Sequence, residues 1–439
     1  MKIYNSSSKP IYLLAGGFIF FIFFGACLLK QPDAHVGELS WVKAFFTATS
    51  AVTVTGLSVV DTANFTLFGQ IVIMSLIQIG GLGFMTLAIV IIASIGSRMG
   101  VGSQQIAYEA FGVVPFNMIK ETAKFVLLFA LLFELTSTFL LTLTWWDEKG
   151  FIPAFYEGLF LSISAFNNAG FALTADNIIP YANSIPVNLI LTTLIILGGL
   201  GFTVVMDIKR NRRWHKFSLN TKIVLSATLA LNLIGFLLLF ILETHNSKTL
   251  ENAGLQQQIL VSWFQTVTTR TAGFNSMDIS QLSDASTMIM LLYMFIGGGS
   301  LSTASGIKVG TLVILIAATV AFVRHKESAT IFKHSLSNEQ VRKAFVLFMI
   351  SIALVFLSVF SLVIIESKHD FMNVLFEVVS ALGTVGLSRG ITGNLSSAGE
   401  MILMLMMFIG RLGPLTIAYI IAVPHHSKIK YPNGNVHIG

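Results

Sequence analysis

Charge is what this chain has least of. Asp, Glu, Lys and Arg together make up 11% of its 439 residues, against about 25% in a soluble domain, and that deficit excludes an ordinary water-soluble globular fold. Cysteine is scarcer still. The one thiol, Cys27, excludes a disulfide framework and any Cys/His metal spacing. There is also no Ser/His/acid arrangement in a catalytic context, and Gly306-Ile307-Lys308 lacks the adjacent Gly-Lys and preceding strand of a phosphate loop. Enzymatic chemistry is therefore not expected. The net charge of +6 does not point to nucleic acid, because the bases lie mainly in short loops between apolar segments.

Apolar surface takes the place of charge: 54% of the residues are hydrophobic, 37 of them Phe, and the mean hydropathy is +0.79. Apolar segments occupy about 11–29, 67–95, 125–146, 187–206, 222–243, 286–323, 343–366 and 398–423. Roughly 20 such residues cross a bilayer core, so an all-α membrane protein with eight spanning helices is expected. The first segment follows Lys2 and Lys9 and exceeds the about 7 to 15 residues of a signal h-region, which makes it an uncleaved helix. With the N-terminus in the cytoplasm, 18 basic residues, among them Arg98, Lys209, Arg212, Arg213, Lys428 and Lys430, fall inside against five acids that include Glu109. Outside, six bases face 15 acids. The positive-inside bias then places both termini in the cytoplasm, and the acid-rich outer face would concentrate cations.

Between alternate pairs of these segments lie four stretches too mixed to span and too apolar to be solvated: 41–57, 155–171, 258–274 and 371–387. Aligned on their last glycines, Gly56, Gly170, Gly273 and Gly386, all four carry an aromatic ten residues earlier: Phe46, Phe160, Trp263 and Phe376. Ser50, Ser164 and Ser380 share another column, and the glycines stand 114, 103 and 113 residues apart. The chain thus reads as four tandem repeats of helix, re-entrant pore segment and helix, with boundaries at 1–96, 97–207, 208–324 and 325–424 and a cytoplasmic tail at 425–439. Parallel copies can only surround an axis along the membrane normal, which gives a pseudo-fourfold central pore. Non-helical backbone is tolerated in a membrane only where it is buried or lines an aqueous cavity, and glycine lets that backbone turn carbonyls toward an ion.

A second motif recurs farther along each copy: Ile79-Gly80-Gly81-Leu82-Gly83, Leu197-Gly198-Gly199-Leu200-Gly201, Ile296-Gly297-Gly298-Gly299-Ser300 and Ile409-Gly410-Arg411-Leu412-Gly413. In three copies it predicts a weakened helix, at roughly 1 kcal/mol per glycine. In the third it predicts a break, since residues 297–306 hold four Gly, three Ser and one Thr, the composition of a loop. Gly297, Gly298, Gly299, Ser300, Ser302, Thr303, Ser305, Gly306, the following Lys308, and Arg411 at the depth of Gly298 are the candidate gate residues. Loop carbonyls need donors and a buried guanidinium needs acceptors, so the two are expected to pair across the path. Arg270 is expected to be structural, held by an acid such as Asp278 or Glu377, and Glu134 to find a partner on another helix.

The four glycine-ending segments Thr53-Val54-Thr55-Gly56, Asn167-Asn168-Ala169-Gly170, Thr271-Ala272-Gly273 and Thr384-Val385-Gly386 resemble the selectivity filters of the Trk/Ktr/HKT superfamily of potassium transporters. The likeness covers nearly the whole chain, and the Lys430-Tyr431-Pro432-Asn433-Gly434 ending resembles the membrane subunit of bacterial Ktr systems. This resemblance implies K+ held by the backbone carbonyls of those segments, Na+ as a candidate activating ion and no cofactor in the chain itself. It also implies a homodimer in the bacterial cell membrane, in contact with membrane lipids and with a cytosolic ring of nucleotide-binding regulatory subunits of the KtrA or KtrC kind. A glycine at the position of Gly56 accompanies potassium permeability in plant members. Sodium passage, or a non-conducting subunit of a larger assembly, are the alternatives.

Overall fold

Small polar residues set where the helices begin. Ser40, Ser218, Ser283, Ser337, Asp370 and Ser396 each accept from a backbone amide in the first turn that follows, satisfying donors that a helix start leaves open. The computed structural model describes residues 9–96 and 119–414. Lys2, Arg98, Glu109, Lys428, Lys430 and the 425–439 tail lie outside the described residues.

The element order is α1 (Lys9–Leu29), α2 (Trp41–Val52), α3 (Leu67–Gly96), α4 (Ile119–Lys149), α5 (Phe151–Phe166), α6 (Ile185–Leu200), α7 (Phe202–Asn211), α8 (Leu219–Glu243), α9 (Leu255–Thr269), α10 (Asp284–Phe295), α11 (Val309–Val323), α12 (Asn338–Ile365), α13 (Phe371–Gly383) and α14 (Ser397–Leu412). A two-residue hairpin, Thr330–Ile331 with His334–Ser335, is the described β-structure. The protein is predominantly helical. Residues Lys124–Lys149, Leu219–Glu243 and Asn338–Ile365 are long and apolar enough to cross a bilayer unaided. Their outer faces carry exposed Leu132, Phe139, Leu237, Phe356 and Phe360, a belt that suits lipid and not water.

The short helices α2, α5, α9 and α13 lie innermost. Phe46, Phe160, Phe264 and Phe376 are each at most 1% exposed. In the third segment the buried aromatic is therefore Phe264 and not Trp263, which packs edge-on against Phe236 instead. Two of the spanning helices are tied to the start of a later helix by carboxylates at their ends: Glu243 accepts from the Ser283 amide before α10 and Glu366 from the Ser396 amide before α14, at 3.2 and 2.7 Å. Burial pushes the Glu366 carboxyl up, but the Ser396 hydroxyl and amide, with His369 and Lys368, outweigh it and hold it below its ordinary value.

The glycine motif of the long helices is a packing device more than a weakness. A Cβ on Gly80, Gly198 or Gly410 would stand 2.0 Å from the carbonyl oxygen of Val52, Phe166 or Leu382 respectively. Each of those carbonyls lies at the C-terminal end of a short helix, so only glycine lets helix and helix end touch. The breaks are also more numerous than composition predicts. Helices α6 and α7 meet at 92°, with Gly201 at φ +96°, because the Ser300 oxygen fills the space a Cβ there would need and the Phe202 amide donates to Leu301 O at 2.9 Å. Helix α14 stops at Gly413, φ +88°. The span expected over 286–323 is split from Ile296 to Lys308.

Gly198→Ala forces a Cβ against backbone and should lower the thermal midpoint in detergent by several degrees, the effect of about 1–3 kcal/mol of overpacking. Gly17→Ala, with nothing within 4 Å of its Cβ position, should leave the midpoint unchanged. Equal midpoints for both variants would remove the packing role.

Candidate functional site

The chain leaves each innermost helix through the same backbone path. Two residues before each final glycine stands a left-handed residue: Val54 at φ 56°, Asn168 at 57°, Thr271 at 76° and Thr384 at 47°. Gly56, Gly170, Gly273 and Gly386 follow at 91°, 71°, 81° and 94°. Three of the four left-handed non-glycine residues are β-branched, for which this conformation is a true outlier. Strain of this kind persists only where the surroundings over-determine it, and it concentrates at functional sites. Alternating the sign of φ turns successive carbonyls toward one side of the strand, which an ordinary β-strand does not do.

The four strands close on one another. A Cβ on Gly56 would stand 2.4 Å from Ala169 O, on Gly170 2.8 Å from Ala272 O, on Gly273 2.2 Å from Val385 O and on Gly386 2.2 Å from Thr55 O. Each glycine thus faces the carbonyl that precedes the next glycine, and the series returns to its start. Thr55, Ala169, Ala272 and Val385 are 0% exposed, and among the described residues no donor reaches these four carbonyl oxygens. A buried carbonyl without a donor costs several kcal/mol unless something else meets it. Helices α2, α5, α9 and α13 end directly before the strands, so each brings the partial negative charge of a helix C-terminus, about half an elementary charge. The arrangement suits a cation without a hydration shell.

The amides are held on the far side. Thr55, Ala169 and Val385 donate to the carbonyls of Ser50, Ser164 and Ser380 at 2.8 Å each, and the Ser50 and Ser380 hydroxyls accept from the Gly56 and Gly386 amides at 3.0 and 3.1 Å. The third strand has Val267 in that column, and the Ala272 and Gly273 amides go to Thr268 O instead. This is the same one-residue offset that buries Phe264 in place of Trp263. Thr53 Oγ1 bonds Thr49 O and Thr55 Oγ1, at 2.7 Å each. Gly170 O accepts from Asn177 Nδ2 at 3.0 Å.

Beside the strands lies the segment from Ile296 to Lys308, and it is ordered by bonds to every side. Gly299 and Thr303 donate their amides to Gly199 O and Gly198 O at 2.8 and 3.2 Å. The Ser302 hydroxyl closes on Gly299 O at 2.8 Å, and Lys308 Nζ donates to Ala304 O at 2.6 Å. Gly298 and Gly297 are in close contact with Gly199 O and Ser305 O, and Gly306 has φ +67°. Arg411 reaches across from α14: Nη1 donates to Thr303 O and Ser305 Oγ at 2.5 and 3.1 Å, and Nη2 to Gly80 O at 2.6 Å. The guanidinium therefore joins the loop to α3, a partner that spacing did not indicate. Ser300 is the exposed residue of the run.

Two residues end elsewhere than expected, or with more partners. Arg270 meets neither Asp278 nor Glu377; it donates to Asn232 Oδ1 at 3.1 Å and to Gly297 O at 3.2 Å. Glu377 is occupied by Ser388, Thr392 and the Arg389 amide, and Asp278 by Ser280. Glu134 is bound by Gln78 and Asn167. The contact of Asn168 Nδ2 with Thr303 Oγ1, at 2.9 Å, joins the second strand to the loop over 135 positions and had no signal in the sequence.

A helical membrane fold that gathers buried carbonyls around one point defines a protein that handles cations. Residues 27–431 match the TrkH cation transport protein family, and the chain belongs to that family. It is 44% identical over 431 residues to the Ktr system potassium uptake protein B of Bacillus subtilis, covering 98% of this chain and 97% of that one. It is 42% identical to the protein of the same name from Vibrio alginolyticus, over 94% of this chain and 91% of that one. To the potassium/sodium uptake protein NtpJ of Enterococcus hirae it is 34% identical, over 98% and 97%. The fold is similar to the crystal structure of the potassium transporter TrkH from Vibrio parahaemolyticus, with a TM-score of 0.71 at 21% identity over 93% of this chain and 85% of that one.

Proposed function

We propose that this chain is the ion-conducting subunit of a potassium uptake system of the bacterial cell membrane, and that dehydrated K+ passes along the axis of the four glycine-ending strands. The observation that carries the reading is the ring of four buried carbonyls, from Thr55, Ala169, Ala272 and Val385, to which no described residue donates. The names of the relatives from Bacillus subtilis and Vibrio alginolyticus support potassium as the ion. In this reading each succession of long, short and long helix is one of four repeats around a pseudo-fourfold pore. The bias of basic residues supports placing both termini in the cytoplasm. Sodium passage is the second reading, favoured by the name of the Enterococcus hirae relative.

Uptake of tracer rubidium into proteoliposomes holding this chain alone tests conduction: accumulation driven by a potassium gradient is expected, and its absence leaves a non-conducting subunit. Gly56→Ser places a side chain 2.4 Å from Ala169 O. Because a hydroxyl and a Cβ then enter the ring, the potassium-to-sodium flux ratio should fall by about tenfold. An unchanged ratio would contradict the ring as the selective element.

The loop from 297 to 306, with Lys308 and Arg411, is the gate in this reading. Two cationic side chains bound to loop carbonyls form an electrostatic and steric barrier to K+. Arg411→Ala should raise rubidium flux in the absence of any partner; wild-type basal flux in that variant would move the gate elsewhere. The Ktr names of the relatives support a system of several components. The exposed basic run Arg210, Arg212 and Arg213 at the end of α7 is the candidate docking point for a cytosolic nucleotide-binding ring of the KtrA or KtrC kind, on a homodimer. Reversing Arg212 and Arg213 to Glu should release that ring in a pull-down without affecting insertion, and retained binding would restrict these charges to topology.

A further inference from the structure

Glu134 lies near the middle of α4, 2% exposed, in a span long and apolar enough to cross a bilayer. An ionisable group in such a place is costly and is retained where it has a specific task. Its two oxygens accept from Gln78 Nε2 of α3 at 3.2 and 3.0 Å, and Oε1 also accepts from Asn167 Nδ2 at 3.2 Å. Asn167 is the first residue after α5 and opens the second glycine-ending strand. The same Nδ2 lies 2.8 Å from Gln78 Oε1 and 2.9 Å from Ile163 O. On its other side, Oδ1 rests where a Cβ on Gly81 would stand, 1.9 Å away. The Asn167 amide is therefore clamped between three acceptors and a glycine of the neighbouring helix.

The corresponding positions of the other strands are Thr53, Arg270 and Gly383. Thr53 is tied within its own segment, Arg270 to Asn232 of α8, and Gly383 has no side chain. The second strand thus has a carboxylate anchor of its own. A carboxylate accepts only, with lone pairs for all three incoming bonds, whereas an amide in its place would present an NH2 to the Gln78 NH2.

We propose that Glu134 is a positioning residue for ion selectivity: through Asn167 it fixes the start of the second strand, and with it the Ala169 carbonyl that faces Gly56. This rests on the conduction reading above. A role confined to helix packing would make Glu134 matter for folding alone. A selectivity role makes it matter for the ratio of ions among molecules that have folded.

The test is rubidium uptake into proteoliposomes with unlabelled potassium or sodium as competitor, per folded protein recovered from size exclusion. Glu134→Ala should lower the preference for potassium over sodium by about tenfold, the equivalent of one hydrogen bond. Asn167→Ala should lower it similarly, and the double variant no further, since one pathway carries both effects. Gln78→Leu, which keeps the carboxylate but removes its two bonds to α3 and the Gln78 acceptor of Asn167, should shift the ratio in the same direction and serves if Glu134→Ala does not fold. A wild-type ratio in the folded variants, or additive losses in the double variant, would overturn the proposal. Failure of the wild-type protein to take up rubidium, or to prefer potassium, would instead overturn the conduction reading.

Discussion

Backbone that leaves a helix inside a membrane protein has no bulk water to bond, and every exposed amide and carbonyl must be answered locally. Four helices of this chain end in that situation. Their answer is the same each time in outline: the amides of the departing strand fold back onto the helix end, and three of the terminal carbonyls press against a glycine of a neighbouring long helix. The strand carbonyls are left over. Because the amides are occupied on one side, the carbonyls of Thr55, Ala169, Ala272 and Val385 collect on the other. The ring is thus a consequence of how four helix ends are satisfied, and the left-handed Val54, Thr271 and Thr384 are part of its cost.

The symmetric part of this arrangement was legible in the sequence. A common register of four glycines, a serine column and a glycine motif at fixed distance all reflect backbone needs that repeat, and repetition is visible in one dimension. Close packing was not. That Gly80, Gly198 and Gly410 receive a carbonyl, or that Gly201 is turned by the oxygen of Ser300, depends on atoms contributed by distant parts of the chain. The same limit explains Arg270. Opposite charge suggested Asp278 or Glu377, but both carboxylates are taken by hydroxyls and amides close to them in sequence, and the arginine is left to Asn232 and a loop carbonyl. The aromatic column shifts by one residue in the copy where Val267 stands in the serine column and Thr268 accepts the strand amides.

Asymmetry is carried by side chains on an almost symmetric backbone. The first strand is anchored by its own threonines and the second by Glu134, Gln78 and Thr303. The third is anchored by Asn232 through Arg270, while the fourth is followed by Arg389, whose backbone amide donates to Glu377 of α13. The loop after α10 touches the second strand through Asn168, the bent helix α6 through Gly198, and α3 through Arg411. The Phe202 amide at the start of α7 is bonded to the Leu301 carbonyl, and α11 begins directly after Lys308.

The central claim is that four backbone carbonyls, and not side-chain charge, hold the ion. Anomalous diffraction from crystals of the protein grown in rubidium tests it most directly. The account predicts anomalous density on the axis of the ring, equidistant from the Thr55, Ala169, Ala272 and Val385 oxygens, and its loss in Gly56→Ser. Density confined to acidic side chains of the surface, with none on that axis, would contradict it.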